Sequence, residues 1–462
     1  MTGSGRSKRT ALVVGGGLAG LSAALHLADR GWRVRLFEKR AILGGRAYSY
    51  RAREAGHAVD NGQHLLIGCY DRTLSFLERI GTRHAVEMQP RMWVPLSDAE
   101  RGRAPFGCAR LPSPLHLTVG ALRYRHLEPR ERLRLLAGGM AFVLRSLRGK
   151  GLEGRTVAEV FGELRQGSRL RRAFWDPLAI AVLNELPERA SALLFGEVLR
   201  RVFLAPASAS SLVFPRVGLS DLFATPAARA IEERGGEVVV GMGARTIELA
   251  NGRARGLRFD DGRVFEGDAV VLAVPPPALS GLLPEPLRRA SPFERAALLS
   301  SSPIVSVHLW LAERVETPRM LGFLDGPLQW LFTPPMQPDE GRYVTLVASG
   351  ARGLAAASPD DVLAEARSVL ARHVPQALAS PWLDALVTKE REATFAAAPQ
   401  EQRARPGTAT PIPNLFLAGD WTDTGLPATL ESAILSGERA AAQIGDVPAV
   451  CHRLSPFRDT PP

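Results

Sequence analysis

One stretch near the start of the chain constrains the fold more than any other: TALVVGGGLAGLSAALHLADRGWRVRLFEKR, residues 10–40. Residues 11–14 are apolar and β-prone, as expected of a parallel strand that is buried on both faces. Residues 18–30 favour a helix that ends at Gly31, and residues 34–37 favour a second strand. This strand-helix-strand order is typical of a Rossmann-like nucleotide-binding domain.

Between the first strand and the helix, Gly15, Gly17 and Gly20 form a G-x-G-x-x-G motif. Gly15 permits the tight turn, Gly17 lets the backbone approach a pyrophosphate, and Gly20 lets the helix and the strand pack closely. Leu18 and Ala19 begin the helix, whose free N–H groups attract the same anion. With its strand and helix in place, the motif predicts a dinucleotide site; an ordinary glycine turn is the alternative.

An acidic residue and a second glycine pair follow the second strand. Glu38 stands where a carboxylate accepts hydrogen bonds from an adenosine ribose, and we assign Lys39 and Arg40 to the same nucleotide site. Gly45 and Arg46 would bring another backbone N–H group and a guanidinium to the pyrophosphate. This E-x-x-x-x-x-G-G-R arrangement resembles the large FAD family that includes amine oxidases, protoporphyrinogen oxidase and phytoene desaturases. The resemblance implies that the cofactor is FAD, because ordinary NAD dehydrogenases do not normally contain the second glycine pair and its arginine.

The far end of the chain supplies a second strand-turn-helix pattern, residues 414–444. The resemblance implies that the pair Gly419 and Asp420 binds the ribityl chain of the flavin. The helix that begins near Thr429 and Leu430 would direct its positive dipole end at the reduced flavin. A helix that merely packs on the sheet is the alternative. This motif contains no cysteine, so we expect FAD to be bound non-covalently.

A middle segment completes the predicted cofactor domain. Residues 218–276 show a helix and several short strands joined by N-G and D-G turns. The resemblance implies that a strand at residues 238–247 reaches the adenine through its backbone at Ala244. We expect an α/β (mixed α+β) architecture in which a Rossmann-like FAD-binding domain is interleaved with a substrate domain, as in amine oxidases and phytoene desaturases. The FAD domain is assigned to residues 1–75, 215–298 and 405–447, the substrate domain to 76–214 and 299–404, and a flexible tail to 448–462.

Several segments resemble a narrower family, the hydroxysqualene dehydroxylases, also called squalene-associated FAD-dependent desaturases. These segments are DNGQHLLIGCY, FWDPLAIAVLNELPERASALLFGEVLRRVFL, LVFPRVGLSDLF, KEREATFAAAP and LFLAGDWTDTGLPATLESAILSGERAA. The resemblance implies reductive removal of an allylic hydroxyl from a C30 isoprenoid, giving squalene for hopanoid synthesis. The alternatives are a phytoene-type carotenoid desaturase or isomerase, and a non-enzymatic isoprenoid-binding protein of the GDP-dissociation-inhibitor type.

The segment DNGQH, residues 60–64, concentrates polar side chains that need either internal partners or a ligand. We expect it to form the floor of the flavin pocket, with Gly62 letting the backbone approach the ring and with Gln63 and His64 near the reacting edge. His64 and Asp60 are candidate proton donors to the leaving hydroxyl. The alternatives are a turn or cap role for Asp60 and a structural role for His64.

Basic residues are concentrated between residues 101 and 172, which hold sixteen Arg or Lys and five Glu. Within this block, the uncharged run 135–144 is too short to cross a bilayer but suits a helix that lies on one. Residues 101–172 are therefore a candidate surface for an anionic membrane, and a solvated basic helix face is the alternative. The aliphatic content and the shortage of aromatic residues argue against nucleic acid as a partner.

The cysteines bear on the cellular compartment. Cys69, Cys108 and Cys451 are scattered without pairing or metal-like spacing, which fits a reducing compartment, no disulfide framework and no metal site. The uncharged stretch 10–28 follows basic residues, as in a signal peptide, but its glycines belong to the nucleotide motif. We expect a cytoplasmic protein, peripheral on the inner membrane, whose flavin is reduced by an external electron donor.

Overall fold

The computed structural model describes residues 9–51, 58–334 and 341–445. Its strands are β1 Thr10–Val14, β2 Arg33–Phe37, β3 Ser49–Arg51, β4 Ala58–Asp60, β5 Leu66–Ile67, β6 Val86–Met88, β7 Trp93–Asp98, β8 Gly102–Gly107, β9 Leu212–Pro215, β10 Glu237–Val239, β11 Ala244–Ala250, β12 Arg253–Phe259, β13 Val264–Glu266, β14 Ala269–Leu272, β15 Ser301–Leu311, β16 Met320–Phe323, β17 Trp330–Phe332, β18 Tyr343–Ser349, β19 Trp382–Phe395 and β20 Leu415–Leu417. Its α-helices are α1 Leu18–Asp29, α2 Asp71–Arg79, α3 Leu115–Arg123, α4 Pro129–Arg148, α5 Val157–Glu163, α6 Ser168–Leu170, α7 Asp176–Leu183, α8 Ala192–Leu204, α9 Thr225–Glu233, α10 Pro276–Leu282, α11 Glu285–Arg288, α12 Phe293–Ala297, α13 Arg352–Ala356, α14 Pro359–His373, α15 Pro375–Ala379, α16 Pro399–Ala404 and α17 Leu430–Ile444.

The first sheet is parallel throughout and has the strand order β10-β2-β1-β14-β20. Its central strands β1 and β14 are almost entirely buried, because helices cover the sheet as they do in doubly wound folds. Helices α1 and α17 pack tightly together: a Cβ added at Gly437 would lie 2.2 Å from the Ala19 carbonyl oxygen. The sheet thus brings together chain segments from both ends and the middle, and the predicted α/β fold is confirmed.

A second, mixed sheet has the order β19-β15-β18-β17-β16-β7-β8. The long strands β15 and β19 pair antiparallel, with Ile304 opposite Glu390 and Val305 opposite Lys389. Helix α14 begins with a capping box at Ser358 and packs its apolar face on this sheet. The opposite face of β19 is therefore free to line a cavity between the two sheets.

Helices α3 to α8 form a layer that is held together by aromatic side chains. Trp175 is fully buried, stacks on Phe161 with ring centroids 4.7 Å apart, and donates its indole N–H to the Gln166 side-chain oxygen at 2.9 Å. Phe142 on α4 and Phe195 on α8 complete the cluster, with ring centroids 5.4 Å apart. This satisfied, tightly packed core gives the helical layer a fixed shape.

One segment differs from the sequence-based expectation, and another lies outside the described residues. The segment 238–247 is not a single strand: β10 ends before a turn at Gly241, whose N–H bonds the Arg40 carbonyl, and β11 starts at Ala244. The predicted tail 448–462 lies outside the described residues. The domain boundaries stay predictions. In the described part of the chain, no helix combines the length and apolar character required to cross a membrane.

Candidate active site

The two glycine motifs lie against each other and leave a narrow strip without side chains. Gly44 donates its N–H to the Gly16 carbonyl at 2.8 Å, and a Cβ added at Gly45 would lie 3.0 Å from the Cα of Gly17. Gly15 has φ +107°, in the left-handed region, and a Cβ there would lie 2.4 Å from the Ala273 carbonyl oxygen. Backbone N–H groups at the start of α1 can therefore approach an anion directly.

Glu38 lies at the end of β2 beside this strip. Its carboxylate accepts the N–H of Gly16 at 2.7 Å and the N–H of Arg40 at 2.9 Å, so its orientation is fixed. Met242 donates its N–H to the Glu38 carbonyl, which brings the turn before Ala244 next to the same residue. Together these residues form one end of the site, and the spacing of the motifs predicts that this end binds the nucleotide.

Arg46 joins the N-terminal and C-terminal halves of the site. Its guanidinium donates to the Asp420 carboxylate at 2.5 Å and to the Ala393 carbonyl oxygen at 2.7 Å. Asp420 is buried, whereas the Arg46 side chain keeps 38% of its surface exposed, so the pair lies at the wall of a cavity. A single side chain thus holds together residues that are 374 positions apart in sequence.

A buried arginine, Arg405, holds the loop that carries Asp420 in place through hydrogen bonds. Arg405 is 2% exposed and donates to the carbonyl oxygens of Asp420 at 3.1 Å and Leu426 at 2.8 Å. Burial lowers the pKa of Arg405 to about 10, which still leaves the guanidinium charged near neutral pH. At the end of the loop, the Thr429 hydroxyl accepts the N–H of Ser432 and caps α17.

Residues 62–64 of the predicted floor segment, which spans residues 60–64, face the same cavity. Gly62, Gln63 and His64 all line it, and the buried amide nitrogen of Gln63 has no hydrogen-bond partner in the described residues. Burial, with a smaller contribution from the charge of Arg46, lowers the pKa of His64 to about 4. His64 is therefore a neutral imidazole near pH 7, able to form hydrogen bonds but a poor source of protons.

Asp60 lies apart from its neighbours in the floor segment. Its carboxylate accepts the Ser49 hydroxyl at 2.7 Å and the Leu219 N–H at 3.0 Å, and it faces a separate small cavity that Gln63, His64 and Arg319 also line. Burial raises the pKa of Asp60 to about 6. The structure therefore does not bring Asp60 to the large cavity, and its bonds match the turn-and-cap role that was the alternative.

The large cavity has a volume of about 1130 Å³, above the roughly 300–1,000 Å³ of ordinary small-molecule sites. Of the predicted cofactor residues, the cavity is lined by Gly15, Gly17, Leu18, Ala19, Glu38, Lys39, Arg40, Gly45, Arg46, Gly62, Gln63, His64, Ala244, Gly419, Asp420, Thr429 and Leu430. Gly20 is the exception, because it packs against the turn: a Cβ there would lie 1.9 Å from the Gly15 carbonyl oxygen.

The sequence analysis did not identify two residues that shape the site. Glu390 on β19 lines the cavity and accepts a hydrogen bond from the Asn61 amide at 3.2 Å, and Arg405 supports the Asp420 loop. Neither Glu390 nor Arg405 belongs to a local motif with a known mechanism. The alternation of β19 was the available signal for Glu390, because it puts Glu390 and Lys389 on opposite faces.

The residues present fit FAD. The side-chain-free strip between Gly17 and Gly45 and the N–H groups of α1 suit a pyrophosphate, while the fixed carboxylate of Glu38 suits a ribose. Arg46 and Asp420 border the continuation of the same cavity toward the floor segment. One continuous cavity therefore offers the chemical groups that each part of the dinucleotide requires.

Comparisons with known proteins agree with this site. The model of the family "Flavin containing amine oxidoreductase" matches residues 18–445. A hydroxysqualene dehydroxylase from Rhodopseudomonas palustris is 32% identical, over 94% of this chain and 97% of the relative. A 15-cis-phytoene desaturase from Synechococcus elongatus is 24% identical, over 94% of this chain and 95% of the relative. The crystal structure of an oxidoreductase from Methanosarcina mazei has a similar fold, with a TM-score of 0.70, 17% identity and coverage of 94% of this chain and 100% of that one.

These relatives also decide between the classes of function that the sequence left open. A family of flavin-containing enzymes, matched over almost the whole chain, excludes the non-enzymatic isoprenoid-binding alternative. The chain is an FAD-dependent oxidoreductase that belongs to the flavin-containing amine oxidoreductase family and, within it, to the hydroxysqualene dehydroxylases.

Proposed function

We propose that this enzyme reduces hydroxysqualene to squalene by replacing an allylic hydroxyl with hydrogen. The observation that carries the proposal is the continuity of the cavity: it begins at the FAD residues and extends into the apolar helical layer. The name of the relative that is 32% identical indicates the same substrate. Bound reduced FAD would supply the hydride that the allylic carbon receives.

The far part of the cavity has the character that a C30 hydrocarbon chain requires. Its lining side chains there are almost all aliphatic or aromatic and come from the helical layer and the second sheet: Leu117, Ala121, Leu135, Leu136, Met140, Phe174, Leu178, Val182, Val202, Phe203, Met320, Trp330 and Phe332. Burial of a long polyene against such a surface is favourable by roughly 25 cal/mol per Å² of apolar area. This part of the cavity supports a hydrocarbon substrate rather than a small amine.

The polar side chains that line the cavity are concentrated at its other end, beside the floor segment. The neutral His64 and the unpartnered amide of Gln63 can bind the hydroxyl and orient its carbon toward the flavin. We propose that both side chains position the substrate, whereas the neutral His64 and the more distant Asp60 are poorly suited to donate its proton. The apolar side chains that line the rest of the cavity would limit the access of water once the hydrocarbon chain is bound.

The direct test is conversion under anaerobic conditions. Purified enzyme with its FAD is chemically reduced, mixed with hydroxysqualene and extracted for product analysis. Squalene is the expected product, and phytoene supplied to the oxidised enzyme is expected to remain unchanged. Desaturated products from phytoene, with hydroxysqualene recovered intact, would favour the carotenoid desaturase alternative that the relative at 24% identity represents.

We further propose that the helical layer docks on an anionic membrane. Leu133, Met140, Leu144 and Leu147 form an exposed apolar stripe along α4, at the spacing of one helix face. Met140 also lines the cavity, so the stripe lies beside one end of the substrate path. The arginines of residues 101–172 surround the stripe in sequence, which suits a surface of anionic lipid headgroups.

A further inference from the structure

We infer that Glu390 is the acid that protonates the departing hydroxyl group. This inference rests on the proposed function, because it assigns a residue to one step of that reaction. A hydroxide ion is a poor leaving group, so breaking an allylic C–O bond requires a proton at the oxygen. The acid must therefore lie in the cavity, at its polar end, and must be held toward the substrate.

The position of Glu390 meets the first two requirements. Its side chain lines the large cavity together with Gln63 and His64 of the floor segment. Three residues further along β19, the Ala393 carbonyl oxygen binds the Arg46 guanidinium, which also holds Asp420. The strand that carries Glu390 is thus fixed at the junction of the two halves of the flavin site.

The contacts of Glu390 meet the third requirement. The buried Asn61 donates one hydrogen bond from its amide to a Glu390 carboxyl oxygen at 3.2 Å. The same amide nitrogen is 3.5 Å from the Arg46 carbonyl oxygen, so Asn61 is itself held in place. In contrast, the adjacent Lys389 turns to the other face of β19 and donates to the Ala357 carbonyl oxygen. One carboxyl oxygen of Glu390 is oriented and the other remains available to a ligand.

The other acids at this end of the cavity are either exposed or engaged elsewhere. Glu392, two residues along β19, also lines the cavity, but its side chain is exposed. The Asp420 carboxylate is paired with Arg46, and Asp60 faces the separate small cavity with bonds to Ser49 and Leu219. Burial raises the pKa of Tyr70 well above its usual range, so its phenol is a weak acid, and His64 is already deprotonated near pH 7. Glu390 is therefore the carboxyl group best placed for the step.

The step balances as follows. The proton of the Glu390 carboxylic acid moves to the substrate oxygen, the allylic C–O bond breaks, and water leaves. Bound reduced FAD would supply the hydride, one hydrogen with two electrons, that the carbon receives, and would itself be oxidised. Glu390, now a carboxylate, regains its proton from solvent, and a two-electron donor of the nicotinamide or dithionite class reduces the flavin again.

The test compares Glu390→Gln with wild type, both loaded with FAD and reduced anaerobically. Glutamine can still accept the Asn61 hydrogen bond but cannot supply the proton. We expect the rate with hydroxysqualene to fall by roughly 10²–10⁴-fold, the range typical of a lost general acid. The acetate ester of hydroxysqualene carries a leaving group that needs no strong acid, so its reduction is expected to change less than tenfold. Glu390→Asp should restore part of the rate with the alcohol, and Glu232→Gln, an exposed carboxyl on α9, serves as the matched control.

The outcomes separate the two proposals. If the variant reduces hydroxysqualene as fast as wild type, or if the alcohol and the ester slow equally, Glu390 is not the acid. A loss confined to the alcohol in His64→Gln or Asp60→Asn, with Glu390→Gln unaffected, would return the role to the floor segment. Wild-type enzyme that leaves both substrates unchanged contradicts the proposed function itself. Flavin absorbance of each variant confirms that the site still binds FAD.

Discussion

Gly20 shows how little freedom single residues have at the nucleotide end of the site. A Cβ at this position would lie 1.9 Å from the Gly15 carbonyl oxygen. The Cβ is fixed to the helix backbone and the oxygen belongs to the backbone of the turn, so neither can move away independently. We predict that Gly20→Ala lowers the free energy of unfolding by about 1–3 kcal/mol and reduces the FAD content of the purified protein.

Thermal unfolding and flavin absorbance measure this effect. The matched control is Gly162→Ala in α5, where an added Cβ meets no described atom within 4 Å and where alanine should stabilise the helix by about 0.5–1 kcal/mol. Equal stability and flavin content in Gly20→Ala and wild type would contradict the packing argument.

Asp60 offers a prediction about pH. Burial raises its pKa to about 6 from its ordinary value of 3.8, so the folded protein binds this proton more tightly than the unfolded chain does. Between about pH 4 and pH 6 the carboxyl therefore makes the folded state less stable as the pH rises, by up to about 3 kcal/mol. His64 has the opposite effect over a similar range, because its pKa is lowered.

Comparison with Asp60→Asn isolates the contribution of the carboxyl, since both proteins share the histidine effect. An amide oxygen can still accept the hydrogen bonds from Ser49 and Leu219. We expect the stability of wild type relative to the variant to decline from pH 4 to pH 6, as measured by urea denaturation. A difference that stays constant over this range would show that Asp60 does not titrate there.

At the scale of elements, the exposed stripe on α4 is the feature with the clearest consequence. Leu144 and Leu147 expose 40% and 53% of their surface, although both are large apolar residues. We predict that Leu144→Glu combined with Leu147→Glu abolishes co-sedimentation with vesicles of phosphatidylglycerol and phosphatidylcholine, because it adds repulsive charge to the apolar stripe.

The control for this surface is Leu383→Glu on β19, which changes a side chain that is 70% exposed and belongs to another element. It should bind vesicles as wild type does, and vesicles of phosphatidylcholine alone should bind both proteins weakly. Retention of binding in the double variant would place the membrane surface elsewhere, and wild type that does not co-sediment with the anionic vesicles would exclude it.

The individual elements also show which parts of the structure could be predicted from the sequence and which could not. The strand-turn-helix patterns around Gly17 and Gly419 were predictable, because a tight turn close to a bound cofactor restricts the residue types at each position. Glu390 and Arg405 have no such signature: a glutamate in a strand and an arginine before a proline acquire their roles only from distant partners. The single-strand assignment of residues 238–247 failed because a turn at Gly241 bonds to the backbone of Arg40.

At the scale of the whole molecule, the site is an assembly of distant segments. The ion pair between Arg46 and Asp420 joins opposite ends of the chain, and β19 brings Glu390 to their junction. Family resemblance predicted the cofactor and the fold, because the FAD motifs are short and local. The separation of Asp60 from the large cavity could not be predicted, since neighbours in a strand point to opposite faces and the register was unknown.

The central claim is that one cavity joins reduced FAD to an allylic alcohol of a C30 chain. A single-turnover measurement tests it most directly: enzyme with stoichiometrically reduced FAD is mixed anaerobically with hydroxysqualene while flavin absorbance is followed and squalene is quantified. The account predicts substrate-dependent reoxidation of the flavin, with one squalene formed for each flavin oxidised. Flavin that stays reduced in the presence of hydroxysqualene, or that is reoxidised without forming squalene, would contradict it.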